Sequence, residues 1–107
     1  MELRVKRAQQ FASGGSYFVK YVADVEVRPG RGEVKIELVS TVPENPDHEL
    51  LSHSIEFIRR GAVSVLQPRG LDGVLRLHPL MIHDVDCRPN LFELATAEEL
   101  TRLLETK

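Results

Sequence analysis

A clean alternation of polar and apolar residues runs over positions 17–28, and it predicts a half-buried β-strand. One face of this strand carries Tyr17, Val19, Tyr21, Ala23, Val25 and Val27, and the other carries Phe18, Lys20, Val22, Asp24, Glu26 and Arg28. The run Pro-Gly-Arg-Gly at positions 29–32 is typical of a turn, and the alternation resumes at Val34, Ile36 and Leu38. The two alternating segments therefore predict a β-hairpin.

A short strand and a long amphipathic helix are predicted on either side of this hairpin. Leu3 and Val5 indicate a short first strand ahead of a glycine-containing loop. Beyond Pro46 the apolar period becomes helical, with Asp47 as the N-cap and an end by Pro68. The apolar stripe of this helix comprises Leu51, Ile55, Ile58, Ala62, Val65 and Leu66.

The last third of the chain predicts one more strand and one more helix. Positions 74–85 are apolar with strand character, although Pro79 favours a sheet edge or a bulge. Asn90 followed by Glu93 resembles a capping box at the start of the last helix, and a second cap at Thr96 with Glu99 leaves a kink or a restart there open as an alternative. The apolar stripe of this helix comprises Phe92, Ala95, Thr96, Leu100, Leu103 and Leu104. This order of elements predicts a two-layer α+β sandwich with both helices on one face of the sheet.

Length and composition indicate one ordinary globular domain over residues 1–107. Apolar residues make up 42 % of the chain and charged residues 28 %, a balance that excludes a disordered chain. No segment is apolar enough for a membrane span, and the charged N-terminal segment lacks the apolar core of a secretion signal. The single cysteine, Cys87, excludes an internal disulfide and fits a reducing compartment, so we expect a cytoplasmic protein without membrane contact.

Charge is unevenly distributed along this chain of formal net charge -2. Residues 1–35 contain seven Lys or Arg against four Asp or Glu, whereas residues 36–107 contain seven against twelve. A basic N-terminal third suits contact with phosphate or with an acidic partner. A solvated strand face is the simpler interpretation of the same charges, and both interpretations stay open here.

The glycine run Gly14-Gly15-Ser16 does not predict a nucleotide site. A phosphate-binding loop requires a following helix, whose N-terminal amides face the phosphate, and a Lys-Ser/Thr pair, whereas a strand follows here. The chain carries no other GTPase or ATPase signature. We therefore expect neither nucleotide binding nor an energy-coupled activity.

The densest group of potential metal ligands and catalytic side chains comprises His78, His83, Asp84, Asp86 and Cys87. On a strand, His83 and Cys87 share one face and the two aspartates share the other, so three ligands do not converge on one ion. Cys87 also lacks an identifiable base and oxyanion site. We therefore expect a protein without catalytic residues, metal or cofactor.

Residues 83–95, which read His-Asp-Val-Asp-Cys-Arg-Pro-Asn-Leu-Phe-Glu-Leu-Ala, resemble the end of domain IV of translation elongation factor G. That family carries His-Glu/Asp-Val-Asp-Ser-Ser-Glu, followed by Phe and Ala at the spacing of Phe92 and Ala95. Residues 61–73 are similar to the family's Gly-Ile-x-x-Ala-Leu and Leu-Ala-Gly motifs, and residues 13–17 resemble its Ser/Gly-Gly-x-Gly-Gln-Tyr loop. The resemblances occur in the family's order and extend over nearly the whole chain.

This resemblance implies the ribosomal-protein-S5 domain-2-like fold, a four-stranded sheet with two helices on one face and an unusual left-handed βαβ crossover. In elongation factor G, and in the related tetracycline-resistance ribosome-protection proteins, this domain reaches the decoding region of the small ribosomal subunit. Two loops at the tip of the domain contact tRNA or rRNA, and the matching residues here are Gly14, Gly15, Ser16, His83, Asp84 and Asp86. Such contacts need a shaped loop and a hydrogen-bonding imidazole but no catalysis.

Four basic residues are candidates for additional phosphate contacts, namely Arg4, Lys6, Arg7 and Lys20. Phosphate neutralisation by these residues would make RNA binding sensitive to salt. Together with the implied loops, they predict a non-catalytic, translation-factor-like module that contacts the ribosome.

Apolar residues at positions 79–82 replace polar residues that the family carries ahead of its histidine. An alternative interpretation is therefore a diverged interaction or homo-oligomerisation module that has kept the scaffold and lost the ribosomal role. The residues expected at such a protein interface or dimer seam are Leu80, Met81, Ile82, Phe18 and Val22.

Overall fold

Five strands and two α-helices build the fold in a computed structural model, which describes residues 1–10, 16–82 and 88–105. The elements are β1 (Glu2–Gln10), β2 (Ser16–Pro29), β3 (Val34–Leu38), β4 (Thr41–Val42), α1 (His48–Leu66), β5 (Leu71–Met81) and α2 (Pro89–Glu105). A short 3-10 turn, Gln67–Arg69, follows α1. The predicted succession of elements is confirmed, with the two-residue β4 in addition to the four strands expected, and β1 is longer than the sequence pattern indicates.

The strand order across the sheet is β1-β2-β5-β3, and β4 also pairs with β5. The β1–β2 and β2–β5 pairs are antiparallel, whereas β3 and β4 run parallel to β5. The predicted β2–β3 hairpin is therefore wrong, because β5 lies between these strands. The turn itself exists, but it wraps around the start of β5. There one carboxylate oxygen of Asp72 accepts hydrogen bonds of 2.8–3.0 Å from the backbone N–H groups of Arg31, Gly32 and Glu33.

Strand β5 crosses the middle of the sheet although it contains Pro79, so the expected edge position is wrong and the expected bulge is confirmed. Its pairing with β2 shifts between Tyr21 and Ala23, where β5 carries one residue more than β2. On its other side the parallel pairing is interrupted between Leu38 of β3 and Thr41 of β4. The missing N–H of proline thus falls where both ladders are interrupted.

Both helices form where the apolar periodicity predicts them. Helix α1 begins after Asp47, whose carboxylate accepts a hydrogen bond of 2.9 Å from the N–H of Leu50. Helix α2 begins at Pro89, a residue type suited to the first helical position, so Asn90 lies in its first turn and is not the N-cap. It continues from Pro89 to Glu105 without interruption, so the alternative restart at Thr96 is wrong. Among the described residues, neither helix has the length and apolar character needed to cross a membrane.

Both helices pack on the same face of the sheet, which confirms the two-layer α+β sandwich. The buried hydrophobic side chains between the layers are Leu3, Val5, Val19, Tyr21, Ala23, Val25, Leu75, Leu77, Leu80 and Ile82 on the sheet side and Ile58, Ala62, Val65, Leu66, Phe92, Ala95 and Leu100 on the helices. Gly61 allows a close approach of α1 to α2, because a Cβ at this position would overlap the carbonyl oxygen of Glu93. No helix of the described chain covers the opposite face of the sheet.

Candidate functional site

The uncovered face of the sheet, called the open face below, carries the side chains that alternate with the core residues of each strand. The pairing of β1 with β2 brings three cations of this face together. Lys6 lies opposite Lys20, and on the next pair of the same face Arg4 lies opposite Val22. Three of the four predicted phosphate-contacting residues, Arg4, Lys6 and Lys20, therefore form one group, called the cationic cluster below.

Two members of the cationic cluster have no carboxylate partner among the described residues. The guanidinium of Arg4 lies 2.8 Å from the carboxylate of Glu2, and this hydrogen bond raises the pKa of Arg4. The ammonium groups of Lys6 and Lys20 form no ion pair within residues 1–10, 16–82 and 88–105. Like charges on directly opposed residues of an antiparallel pair repel each other. An anion bound between them would relieve this repulsion, so the cluster is suited to phosphate.

The fourth predicted residue, Arg7, lies apart from the cationic cluster. Its side chain shares the helix-covered face with Leu3 and Val5, and it is 31 % exposed. One guanidinium nitrogen lies 2.9 Å from the carboxylate of Glu99 and 3.7 Å from that of Glu98, both on α2. Arg7 therefore connects β1 to α2 and does not extend the cation group of the open face.

Apolar side chains border the cationic cluster on the open face. Met81 of β5 lies opposite Lys20, and Val42 of β4 lies opposite Met81. Phe18 and Val22 flank Lys20 along β2. These four apolar side chains are half-buried or exposed, and none of them packs against the core. The cluster thus has cations on one side and an apolar surface on the other.

The apolar interface expected around positions 79–82 is wrong for two of its members. Leu80 is fully buried and Ile82 is 2 % exposed, and both belong to the core between sheet and helices. Only Met81 of that segment joins Phe18 and Val22 on the open face. Val42 is a member that sequence reasoning missed, because its place depends on the long-range pairing of β4 with β5, which no local pattern signals.

The half of the open face nearer to β3 is compensated in charge. Arg76 lies 3.1 Å from a carboxylate oxygen of Glu26 and 3.0 Å from one of Glu37, and these contacts raise the pKa of Arg76. Nε2 of His78 lies 3.0 Å from the carboxylate of Asp24, but off the axis of a hydrogen bond. The open face therefore combines a compensated half with uncompensated cations near β1.

The predicted tip residues fall largely outside the described residues, namely Gly14, Gly15, His83, Asp84 and Asp86. Ser16 belongs to the described residues. It is the first residue of β2 and pairs with Gln10, the last residue of β1. Strand β5 ends at Met81, opposite Lys20. The end of β1 at Gln10, the start of β2 at Ser16 and the end of β5 at Met81 thus lie toward the same end of the sheet, and the cationic cluster adjoins Met81.

In the part of the chain that the structure describes, no three His, Cys, Asp or Glu side chains lie close enough together to hold a metal ion. Of the densest ligand group in the sequence, only His78 belongs to that part, and its charged neighbour is Asp24. The other members lie outside it, namely His83, Asp84, Asp86 and Cys87.

Comparison with known proteins bears on the fold alone. No family model matches this chain, and no curated protein matches it. Among solved structures, the chain is similar to a crystal structure from Thermus thermophilus, with a TM-score of 0.58 and 14 % sequence identity. The match covers 94 % of this chain and 15 % of the Thermus chain, so it spans a small part of a much longer protein. At this identity the similarity supports the α+β fold and nothing finer.

Proposed function

We propose that this chain is a non-catalytic, translation-factor-like module that contacts RNA of the small ribosomal subunit or tRNA. The observation that carries the proposal is the cationic cluster, in which Lys6 and Lys20 oppose each other without a carboxylate partner among the described residues. This cluster lies toward the end of the sheet where β1 ends at Gln10, β2 begins at Ser16 and β5 ends at Met81.

Phosphate neutralisation gives the cluster its physical role. A protein cation that neutralises an RNA phosphate releases a condensed counterion, so a few cations gathered in one place supply affinity. This local effect is compatible with a formal net charge of -2 for the chain. No bond is made or broken in such a contact, and no cofactor takes part in it.

The resemblance to domain IV of elongation factor G supports the same role. In that family the matching loops form the tip that reaches the decoding region, and a two-layer α+β sandwich carries them. The tip residues in this proposal are Gly14, Gly15, Ser16, His83, Asp84 and Asp86. In this proposal the cationic cluster adds phosphate contacts on the open face of the sheet.

Co-sedimentation with purified small ribosomal subunits tests the proposal. We expect the chain to pellet with the subunits and to dissociate as KCl rises from about 50 to about 200 mM. The double variant Lys6→Ala/Lys20→Ala is expected to bind more weakly, with a log–log salt slope smaller by about 1.4–1.8. Lys35→Ala is the matched control, because Lys35 is an exposed lysine on the open face that already pairs with Glu37 at 3.3 Å.

Absence of co-sedimentation, or binding by the double variant that equals that of the unmodified chain, contradicts the proposal. Light scattering after size exclusion examines the alternative interaction module on the same samples. A dimer that Met81→Glu dissociates would support that alternative, since Met81 lies among the apolar side chains of the open face.

A further inference from the structure

We propose that strand β1 is a self-complementary edge, along which two copies of this chain pair antiparallel about Leu3, so that the sheet continues from one copy into the other. The inference goes beyond the proposed function, because its partner is a second copy of the chain and RNA takes no part in it. Three features of β1 carry it, namely outward backbone groups, opposite charges two residues apart and a groove beside the strand.

Strand β1 forms one edge of the sheet, so only one of its two sides is paired. Met1 and Val25 exchange both backbone hydrogen bonds, at 3.0 and 2.7 Å, and thus begin the β1–β2 ladder with a hydrogen-bonded pair. Such pairs alternate with pairs whose N–H and C=O groups point away from the partner strand. The backbone groups of Glu2 and Arg4 therefore point outward, and within residues 1–10, 16–82 and 88–105 none of them has a hydrogen-bond partner.

The side chain of Arg7 limits the available edge at its other end. One guanidinium nitrogen of Arg7 donates a hydrogen bond of 2.9 Å to the carbonyl oxygen of Lys6. This carbonyl oxygen points outward, as the alternation requires, but it already has a partner. An antiparallel strand that pairs Glu2 with its own residue 4, and Arg4 with its own residue 2, satisfies every outward N–H and C=O group of these two residues.

Charge selects the same register among the symmetric ones. The side chains of Glu2, Arg4 and Lys6 share the open face. Pairing about Leu3 places Glu2 of each copy opposite Arg4 of the other. Pairing about Glu2 or Arg4 opposes that residue to its own copy, and pairing about Val5 opposes Arg4 to Lys6. Because like charges directly opposed across two strands repel and unlike charges attract, the register about Leu3 is favoured.

The ion pair within β1 fits this arrangement. Each copy supplies a guanidinium and a carboxylate that already lie 2.8 Å apart, and the side chains of Arg4 and Glu2 remain 76 % and 50 % exposed. In the paired strands, two carboxylates and two guanidinium groups would alternate on one face. Charges on an edge strand commonly prevent unwanted pairing, but here their alternation in sign admits one register and disfavours its neighbours.

A groove between β1 and α2 leaves room for the second strand. Its volume is about 270 Å³, and its lining residues are Glu2, Leu3, Arg4, Glu99, Arg102 and Leu103. Along β1 the groove is thus centred on Leu3, the residue about which the two copies pair. On the α2 side, Glu99 and Arg102 lie 2.8 Å apart and compensate each other. The wall of the groove therefore does not oppose an unpaired charge to the second copy.

The other edge strand, β3, carries a comparable ion pair but is less suited to a second copy. Lys35 and Glu37 lie 3.3 Å apart on the same strand. Glu37 also lies 3.0 Å from Arg76 of β5, so its charge is already compensated within the copy. Strand β3 has five residues, whereas β1 has nine. Lys35→Glu is therefore the matched control for a charge reversal on β1.

Sedimentation velocity between about 5 and about 500 μM tests the inference, because an interface of this small size forms a weak dimer. We expect the mass of the unmodified chain to rise from one copy toward two. Glu2→Arg and Arg4→Glu each turn two opposed pairs from unlike to like charges, so each is expected to weaken self-association by about tenfold or more. An equimolar mixture of these two variants opposes unlike charges again and should dimerise about as tightly as the unmodified chain. Lys35→Glu should leave the dimer unchanged.

Amide hydrogen exchange locates the seam in the unmodified chain. The N–H groups of Glu2 and Arg4 are expected to exchange about tenfold more slowly in concentrated than in dilute protein, because the second copy accepts their hydrogen bonds. The N–H of Lys6 also points outward but lies beyond the paired residues. Its exchange rate should not depend on concentration.

A chain that stays monomeric at about 500 μM overturns the inference, and an extended segment of another protein is then the remaining occupant of this edge. A dimer that both β1 variants retain also overturns it, as does a mixture that stays monomeric although circular dichroism shows both variants folded. Dissociation by Lys35→Glu or Met81→Glu alone would place the seam at β3 or on the open face, against β1. Failure of co-sedimentation with ribosomal subunits contradicts only the proposed function, because the dimer is measured without RNA.

Discussion

The hydroxyl of Tyr21 lies 2.6 Å from the hydroxyl of Thr96, and both side chains are buried between β2 and α2. This hydrogen bond joins the two layers inside a mainly apolar core. The ring of Tyr21 also contacts that of Phe92, with ring centroids 5.9 Å apart. Because a buried hydroxyl without a partner is costly, the pair helps to define how α2 sits on the sheet.

Thr96→Val is expected to destabilise the protein, although valine has nearly the shape of threonine. The substitution removes the partner of the Tyr21 hydroxyl and leaves that hydroxyl buried. We expect the free energy of unfolding to fall by about 1–3 kcal/mol. Urea denaturation followed by circular dichroism measures this change.

A double-mutant cycle provides the control for this prediction. In the Thr96→Val background, Tyr21→Phe removes the orphaned hydroxyl and is expected to recover part of the lost stability. Additive effects of the two substitutions would contradict a hydrogen bond between these side chains.

Tyr21 is also expected to limit stability at high pH. Burial raises the pKa of Tyr21, whereas in the unfolded chain a tyrosine ionises near its ordinary value of about 10. Above that pH, unfolding releases a proton, so the free energy of unfolding falls by about 1.4 kcal/mol per pH unit from this group. Tyr21→Phe lacks this dependence. The difference in free energy of unfolding between Tyr21→Phe and the unmodified chain should stay constant up to about pH 10. Above that pH the unmodified chain should lose stability relative to the variant. A difference that is independent of pH would contradict the prediction.

Gly61→Ala is expected to destabilise the contact between α1 and α2. Alanine favours a helix over glycine by about 1 kcal/mol, but its Cβ would overlap the carbonyl oxygen of Glu93 and lie 3.0 Å from Cβ of Thr96. Because one of these neighbours is backbone, the helices must move apart, and we expect a net loss of about 1–3 kcal/mol. Ser52→Ala, at an exposed position of α1, is the control in urea denaturation. A Gly61→Ala protein as stable as the unmodified chain would contradict the close approach.

The fold was predictable where it depends on local patterns and not where it depends on distant pairing. The alternation of β2 and the apolar stripes of both helices report which side of each element faces the core, and these predictions are confirmed. The β2–β3 hairpin is wrong because β5, a strand far along the chain, pairs between β2 and β3. Asp72 at the start of β5 accepts hydrogen bonds from the amides of the turn, and no local pattern signals this contact.

The open-face site was predictable in its members more than in its arrangement. Sequence reasoning grouped Arg7 with Arg4 and Lys6, but strand alternation places Arg7 on the core side with Leu3 and Val5. The Lys6–Lys20 opposition depends on the β1–β2 register, and a slip of one residue would reverse the faces of β1. The alternation of polar and apolar residues within one strand does not by itself specify how that strand is paired with the other.

Asp72 is expected to stabilise the protein at neutral pH and to lose this effect in acid. Hydrogen bonds from the backbone N–H groups of Glu33, Arg31 and Gly32 lower the pKa of Asp72. A lowered pKa contributes stability above the unfolded carboxyl pKa of about 3.9, and this contribution disappears as pH falls through the native value. The urea midpoint of Asp72→Asn should therefore lie below that of the unmodified chain at neutral pH and approach it in acid. Glu44→Gln, at an exposed position, is the control, and a pH-independent gap would contradict the prediction.

Arg7→Ala and Lys6→Ala are expected to have opposite effects, although the two residues are adjacent. Arg7 pairs with Glu99 across the layers, so its loss should lower the free energy of unfolding by up to about 1 kcal/mol and leave RNA affinity within about twofold. Lys6 has no ion pair in the described chain, so its loss should weaken RNA binding and change unfolding by less than about 0.5 kcal/mol. Co-sedimentation with small ribosomal subunits and urea denaturation on both variants measure the four quantities. If Arg7→Ala bound RNA more weakly than Lys6→Ala, the anion site would lie on the helix-covered face. That result would contradict the proposal that RNA binds on the open face.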